Sequence, residues 1–351
     1  MRKRAAVNSV ARRPSRDRAV SARPRPHFVT AEREIETGSN NKGRPIGRAR
    51  RVPELKPGKY SDGLPLDEVK YLECKLILKP NHFTSRESLF DFCKVLRRPA
   101  KEHGVGFEIN GFAEEPLQIR EVLFLDTADF RLYNNAFILR RRIPYKDGFP
   151  IGDPEIVFKY RHPDLQKAAE VDVRPKVSGD FLIKFKSEAL PLKDQIGGLR
   201  FLYSHNVQFG LSRVELTDPT SWHSLAEIFP ALSILRGSNG QHVKLVSDVI
   251  VEEVLQDLAV LDFGKGTTGK ANVALWRAPG AHKALIGEFA FQLKFKRADD
   301  VHQKARQRCE EFFRALQNDV RDWVSLGTTK TGAVYRFKGN RRMPTSEVAA
   351  R

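Results

Sequence analysis

Charge recurs at every second residue in segments that are otherwise apolar, and this limits the possible folds more than any other feature of the chain. Across residues 69–78, Leu72, Cys74, Leu76 and Leu78 share one face of an extended segment, while Tyr71, Glu73 and Lys75 share the other. Across 137–142, Arg140 and Arg142 oppose Phe137 and Leu139. Across 155–161, Glu155, Lys159 and Arg161 oppose Ile156, Phe158 and Tyr160. Across 169–174, read as another strand, Glu170, Asp172 and Arg174 oppose Val171 and Val173. A period of two belongs to strands. Such strands suit either an ordinary antiparallel sheet with one wet face or a sheet closed on itself with its charges inside. The signs of the charges favour closure. One face gathers Lys75, Arg140, Arg142, Lys159 and Arg161, interleaved with Glu73, Glu170, Asp172 and Glu288. Phosphate oxygens call for several cations, and arginine offers them a planar fork of donors. A divalent ion bridging phosphates takes hard carboxylate oxygens.

Further strands are expected at 121–125, 136–143, 201–211, 213–216, 246–261, 271–276 and 286–295, separated by turns rich in Gly, Asp, Asn and Pro. Helical spacing marks 85–96, begun by Ser85, and 298–325, where Phe312, Phe313, Leu316, Val320 and Trp323 form a core stripe. The class is therefore α+β. With 351 residues, 40% of them hydrophobic, the chain can bury a sizeable core. The net charge is +18, and residues 1–51 alone carry 15 Lys/Arg against 4 Asp/Glu. Residues 1–64 lack any sustained period and are rich in Arg, Pro, Ser and Gly, so they read as a disordered basic arm. Such an arm attracts nucleic acid or acidic surfaces, or merely solubilises. As a transit peptide it would have to form an amphipathic helix, which its prolines oppose. Residues 326–351 read as a C-terminal tail. No apolar run reaches the roughly 20 residues that cross a bilayer. The basic start lacks the apolar core of a secretory signal. Cys74, Cys93 and Cys309 have no metal spacing and read as reduced thiols. The expected place is inside the cell, in the cytoplasm, away from membranes. Oligomeric state has no signature in the sequence.

The charged segments also come in a telling order. The first strand carries Tyr71-Leu72-Glu73-Cys74-Lys75, and a helix follows it. Phe124-Leu125-Asp126-Thr127-Ala128-Asp129 then leads to Leu139-Arg140-Arg141-Arg142. The segments with Lys159 and Arg161 and with Glu170 and Asp172 come next, and Gly287-Glu288-Phe289-Ala290-Phe291-Gln292 precedes the last helix. Over about 69–323 this order resembles the CYTH superfamily, the triphosphate tunnel metalloenzymes, whose relatives include thiamine triphosphatases and inorganic triphosphatases. That family opens with Glu-x-Glu-x-Lys and closes with a Glu-rich strand. This chain departs from it with Tyr71 for the first Glu and with Ala290 and Gln292 for later ones. Residues 249–261 offer Glu252, Glu253 and Asp257, with no basic residue before Lys265, where the family pattern expects further cations.

The resemblance implies a closed antiparallel β-barrel tunnel of about eight strands with helices packed outside, spanning 65–325. It implies a divalent-metal-dependent hydrolase of a triphosphate-containing substrate. Glu73 and Lys75 would be catalytic. Lys75, Arg140, Arg142, Lys159 and Arg161 would hold the phosphates, and Glu73, Glu170, Asp172 and Glu288 would hold Mg2+ or Mn2+. The departures leave two other readings open: a tunnel that binds polyphosphate or RNA 5′ phosphates without hydrolysis, and a vestigial tunnel serving as a scaffold. Expected partners are a triphosphate or polyphosphate ligand, and nucleic acid through the basic arm. Several residues suggest chemistry but read otherwise. The run from Gly264 to Gly269 lacks Walker spacing and reads as a hairpin turn. His223, His242, His282 and His302 have no metal spacing. Asp126 and Asp129 read as holders of backbone N–H groups.

Overall fold

The computed structural model describes residues 53–337, apart from 110, 113, 215, 217–219, 236–240 and 280–282. Its strands are β1 (Tyr71–Leu78), β2 (Gly106–Glu108), β3 (Gln118–Thr127), β4 (Phe137–Lys146), β5 (Phe149–Pro150), β6 (Glu155–His162), β7 (Leu182–Leu190), β8 (Arg200–Gly210), β9 (Thr220–Ser221), β10 (His242–Leu245), β11 (Val251–Asp262), β12 (Thr268–Ala278) and β13 (Lys283–Lys294). The helices are α1 (Arg86–Glu102), α2 (Arg131–Asn134), α3 (Leu165–Glu170), α4 (Trp222–Ile228), α5 (Gln303–Asp319) and α6 (Lys330–Tyr335).

Nine strands close into a barrel in the order β1-β7-β8-β6-β4-β3-β11-β12-β13, since β13 pairs with β1 and β3 with β11. All nine pairings are antiparallel except β1 with β7, which is parallel. An odd ring cannot alternate direction all the way round, so nine strands require a parallel pair. The barrel is therefore mixed, with one strand more than the eight or so expected.

Directly paired residues project to the same side of a sheet. The register thus carries one face around the ring. Glu73 pairs with both Gln292 and Glu188, Lys186 with Ser204, and Ser204 with Arg161. Lys159 pairs with Ile138, Arg140 with both Val157 and Phe124, and Arg142 with both Glu155 and Val122. Arg120 pairs with Glu253, Glu253 with Trp276, and Ala274 with Glu288. The opposite face of β1, with Cys74, Leu76 and Leu78, is buried against helices, which makes this charged face the interior. Tyr71, Glu73 and Lys75 thus point inward, as the alternation implies.

The outer layer explains why the apolar residues of β1 face out. Ser85 caps α1 by accepting the Ser88 backbone N–H. The helix then adds Leu89, Phe92, Cys93 and Leu96 to the core that holds the outward residues of β1, with Phe92 against Phe289 of β13, while α5 adds Ala305, Cys309, Phe312, Phe313 and Leu316 to the same core. Each large side chain so buried contributes about 1.5–3 kcal/mol. Gly287 on β13 lies beneath Phe83, whose ring would come within 2.7 Å of any Cβ placed there. The turn at 264–267 is indeed the β11–β12 hairpin.

Several expected elements differ. The segment 169–174 is not a strand. Asp164 caps α3 by accepting the Lys167 N–H, and Leu165, Ala168 and Ala169 are buried on one side of the helix. Residues 171–174 then run on extended without a sheet partner, and Asp172 turns back to accept the Arg174 N–H at 3.0 Å. In the segment 213–216, expected as a strand, Arg213 ends a 3-10 turn that starts at Leu211, and the described residues Val214 and Leu216 lie outside any strand. β7 was not expected, and it supplies a lumen face of its own.

Within residues 53–64, assigned by composition to the arm, Tyr60 is buried with Leu66, Phe185 and Tyr203, and its hydroxyl donates to Asp67 at 3.1 Å. Residues 1–52, where the disordered arm and its nucleic-acid contacts were expected, lie outside the described residues. At the other end, residues 330–335, expected in a tail, form α6, in which Thr331, Val334 and Tyr335 are buried. Among the described residues no helix is long and apolar enough to cross a membrane.

Candidate functional site

The interior has two zones. Ile77, Val122, Phe124, Ile138, Val251, Trp276 and Ile286 form an apolar floor on which Val334 and Tyr335 of α6 rest. Along strand after strand, the next inward position above this floor is charged: Lys75 after Ile77, Arg140 after Ile138, Arg120 after Val122, Glu253 after Val251, Glu288 after Ile286. Apolar closure and charged lumen are thus written two residues apart in each of these strands.

Glu73 and Glu188 organise one side of the lumen. Lys75 Nζ lies 2.8 Å from Glu73 Oε2 and 3.1 Å from Glu188 Oε1. Arg161 meets Glu188 at 3.1 Å, and Lys159 Nζ lies 3.7 Å from it. Lys186 Nζ donates to Gln292 Oε1 at 2.7 Å, lies 3.4 Å from Glu73, and stands 5.8 Å from the centre of the Tyr71 ring. Burial alone would raise the Glu73 carboxyl, but Lys75 and Lys186 outweigh it and bring it down to about 2. Burial likewise opposes the ionised Glu188, but Arg161, Lys75 and Lys159 hold it well below the usual carboxylate range. Lys75 moves the other way: Glu188 and Glu73 overcome burial and hold its ammonium above the ordinary lysine value.

A second cluster stands just above the floor. Lys330, the first residue of α6, places Nζ 2.7 Å from Glu288 and 3.2 Å from Glu253. Arg120 pairs with Glu253 at 2.8 Å, and Trp276 Nε1 donates to Glu253 at 2.8 Å. Burial works against the ionised Glu253, yet Lys330 and Arg120 keep its carboxyl far below the usual range.

Not every lumen cation is matched. Arg142 is held by Glu155 at 2.6 Å. Arg140, two residues away on the same face, has no hydrogen bond or ion pair among the described residues, and its Nε is buried without a partner. Burial, with Arg142 beside it, brings its guanidinium down to about 9. Lys159 falls well below the ordinary lysine value through burial, although Glu188 opposes this, and Arg161, Lys75 and Arg140 add to the fall. Lys184 is lowered by burial and then by Lys186.

The interior therefore brings together Glu73, Lys75, Arg140, Arg142, Lys159, Arg161 and Glu288 from the residues expected in the site. It excludes two. Glu170 is exposed at the end of α3, where its carboxylate accepts Gln166 Nε2 at 3.1 Å, and Asp172 is paired with Arg174 outside the barrel. Arg120, Lys184, Lys186, Glu188, Glu253 and Lys330 were not expected. The run Lys184-Phe185-Lys186-Ser187-Glu188 carries the same charged alternation as its neighbours and could have been found by it. Lys330 has no such signal, because it arrives from a helix. Asp126 does hold backbone N–H groups, those of Thr127, Leu132 and Tyr133 at 2.7, 2.9 and 3.0 Å.

A divalent ion needs oxygen ligands within about 2.0–2.6 Å of one point. With Glu170 and Asp172 outside, two of the four expected ligands remain. Glu288 stands opposite Ile77, four residues along β13 from Gln292, the partner of Glu73. At ~3.3 Å per residue that separates the two carboxylate-bearing positions by about 13 Å along the strand. Among the described residues no three of His, Cys, Asp or Glu are grouped as metal ligands would be. The residues present do not fit the Mg2+ or Mn2+ that the resemblance implies.

Fold and interior define a nine-stranded β-barrel with a basic, carboxylate-buttressed lumen above an apolar floor. No family model and no curated protein sequence matches the chain. Among solved structures it is similar to a candidate adenylyl cyclase from Hippeastrum described as having a dominant triphosphatase activity, at 15% identity over 76% of this chain and 95% of that one, with a TM-score of 0.36. It is also similar to a candidate adenylate cyclase from Bacillus halodurans, at 14% identity over 77% and 98% with a TM-score of 0.34, and to a Pyrococcus horikoshii protein, at 12% identity over 73% and 92% with a TM-score of 0.27. At these scores the likenesses add nothing to what the closure of the sheet shows.

Proposed function

We propose that the lumen binds a triphosphate or longer polyphosphate group, held by Arg140, Lys159, Lys184 and the carboxylate-paired cations Lys75, Arg142, Arg161 and Lys186. The observation that carries this reading is Arg140, a half-buried guanidinium beside Arg142 whose Nε is buried and which has no hydrogen bond or ion pair among the described residues. A buried charge left uncompensated costs several kcal/mol. One multiply charged anion satisfies several such cations at once, and the arginine forks suit phosphate oxygens. Binding then proceeds by exchange. Phosphate oxygens take over donors that Glu155 and Glu188 hold in the free protein, and Arg140 gains its first acceptor.

Binding without turnover suits the geometry better than hydrolysis. Glu73 is already engaged by Lys75 at 2.8 Å and faced by Lys186 at 3.4 Å, and these cations hold its carboxyl below the ordinary range, which makes it a poor acceptor for a proton from water. The Lys75 ammonium is held charged by two carboxylates, so it can grip an anion but cannot take up a proton. Thermal denaturation with inorganic tripolyphosphate, monophosphate and sulfate tests the reading. Tripolyphosphate is expected to raise Tm by mass action, and by more than the smaller anions do; an unmoved Tm would overturn it. Phosphate release from inorganic triphosphate, ATP and thiamine triphosphate, with and without Mg2+, separates a binder from a hydrolase.

A further inference from the structure

Two carboxylate pairs in the lumen are each spanned by one lysine. Lys75 bridges Glu73 and Glu188, at 2.8 and 3.1 Å. Lys330 bridges Glu253 and Glu288, at 3.2 and 2.7 Å. An ammonium between two carboxylates occupies the space, and meets much of the charge demand, that a divalent ion would otherwise satisfy. A third lysine, Lys186, lies between Glu73 and Gln292, where a neutral amide rather than a second carboxylate faces it.

We propose that this lumen holds its polyphosphate without a divalent metal, Lys75 and Lys330 standing where bridging ions would stand. The proposal rests on the polyphosphate reading above and gives it a sign. In a site that needs the ion, Mg2+ completes the cradle and strengthens binding. Here the cradle is already cationic, so Mg2+ acts only on the ligand. It neutralises phosphate oxygens that Arg140 and its neighbours would otherwise contact, and it weakens binding. Lys330 belongs to α6, so the C-terminal segment would supply part of this built-in charge.

The test uses the full chain and inorganic tripolyphosphate, with affinity measured calorimetrically in EDTA and in millimolar Mg2+, and Mn2+ binding to the protein alone followed by paramagnetic resonance. The expected result is binding in EDTA, a dissociation constant about tenfold higher in Mg2+, a loss of about 1.4 kcal/mol, and an unperturbed free-Mn2+ signal. Binding that requires Mg2+, or a protein-bound Mn2+ signal, overturns the metal-free proposal while leaving the polyphosphate reading intact. Absence of binding in both conditions overturns both.

Discussion

Tyr335 donates its hydroxyl to Asp126 Oδ2 at 2.8 Å, joining the C-terminal helix to the strand end beside the barrel floor. The same carboxylate accepts the N–H groups of Thr127, Leu132 and Tyr133, and the Tyr335 ring stacks on Tyr133 with centroids 4.2 Å apart. Tyr335→Phe keeps the ring and removes one donor from a buried carboxylate. The expected loss is about 1–3 kcal/mol, read from the midpoint of urea unfolding. A variant as stable as the parent would mean that α6 is held by its apolar contacts alone.

Stability should fall in acid, and the lumen sets the window. Glu73 has a folded value of about 2 against an ordinary 4.5, through Lys75 and Lys186 acting against burial. A depressed carboxyl contributes stability that is present above the ordinary value and lost as pH falls through the folded one. For Glu73 this is on the order of 3 kcal/mol, lost between about pH 4.5 and 2. Glu188 and Glu253 shift in the same direction. Asp126 runs opposite: burial raises it from 3.8 to about 6, so its contribution is full at low pH and is lost as pH rises through that interval. Urea midpoints between pH 7 and pH 3 should therefore drop steeply below about 4.5. A flat profile there would contradict the ion pairing of Glu73.

Arg140 and Lys159 should matter for ligand and not for folding. Arg140 has no hydrogen bond or ion pair among the described residues, with Glu253 and Glu155 attracting it only from further off, and Lys159 has Glu188 only at 3.7 Å, a carboxylate that Lys75 and Arg161 already satisfy at 3.1 Å. Replacing both with Ala relieves mutual repulsion at the expense of some packing by their stems. The free protein should keep its Tm or gain slightly, and its Tm rise with tripolyphosphate should vanish. A double variant that responds as the parent does would remove these two residues from the site.

What could be read in the sequence followed from strand parity. Glu73, Lys75, Arg140, Arg142, Lys159 and Arg161 alternate with apolar residues, and a period of two fixes which of them share a face. That such faces close into a ring cannot be read from any one strand, and here the resemblance in order gave the barrel. The errors have physical causes. Glu170 to Arg174 alternates as a strand does, but Asp164 caps a helix upstream, and the extended residues after it find no sheet partner. Lys330 enters the lumen from a short helix beyond the last strand, and parity says nothing about that.

The exchange of Glu170 and Asp172 for Glu188 can be tested directly. Glu188 is buried and faces Lys75, Arg161 and Lys159 at 3.1, 3.1 and 3.7 Å. Glu188→Gln keeps the shape, removes the buried charge, and leaves three half-buried cations with a neutral amide. Breaking a buried ion pair by neutralising one partner costs about 3–5 kcal/mol, and the unfolding midpoint should fall accordingly. Glu170 is exposed, and among the described residues its carboxylate accepts the Gln166 amide at 3.1 Å and no other donor. Glu170→Gln should therefore stay within about 0.5 kcal/mol of the parent. Tripolyphosphate adds a second reading. In Glu188→Gln the anion becomes the main counter-charge, so its stabilising effect should exceed that in the parent, while Glu170→Gln should respond as the parent does. If Glu170→Gln were the damaging change and Glu188→Gln the silent one, β7 would not line the lumen and the register that closes the barrel would be wrong.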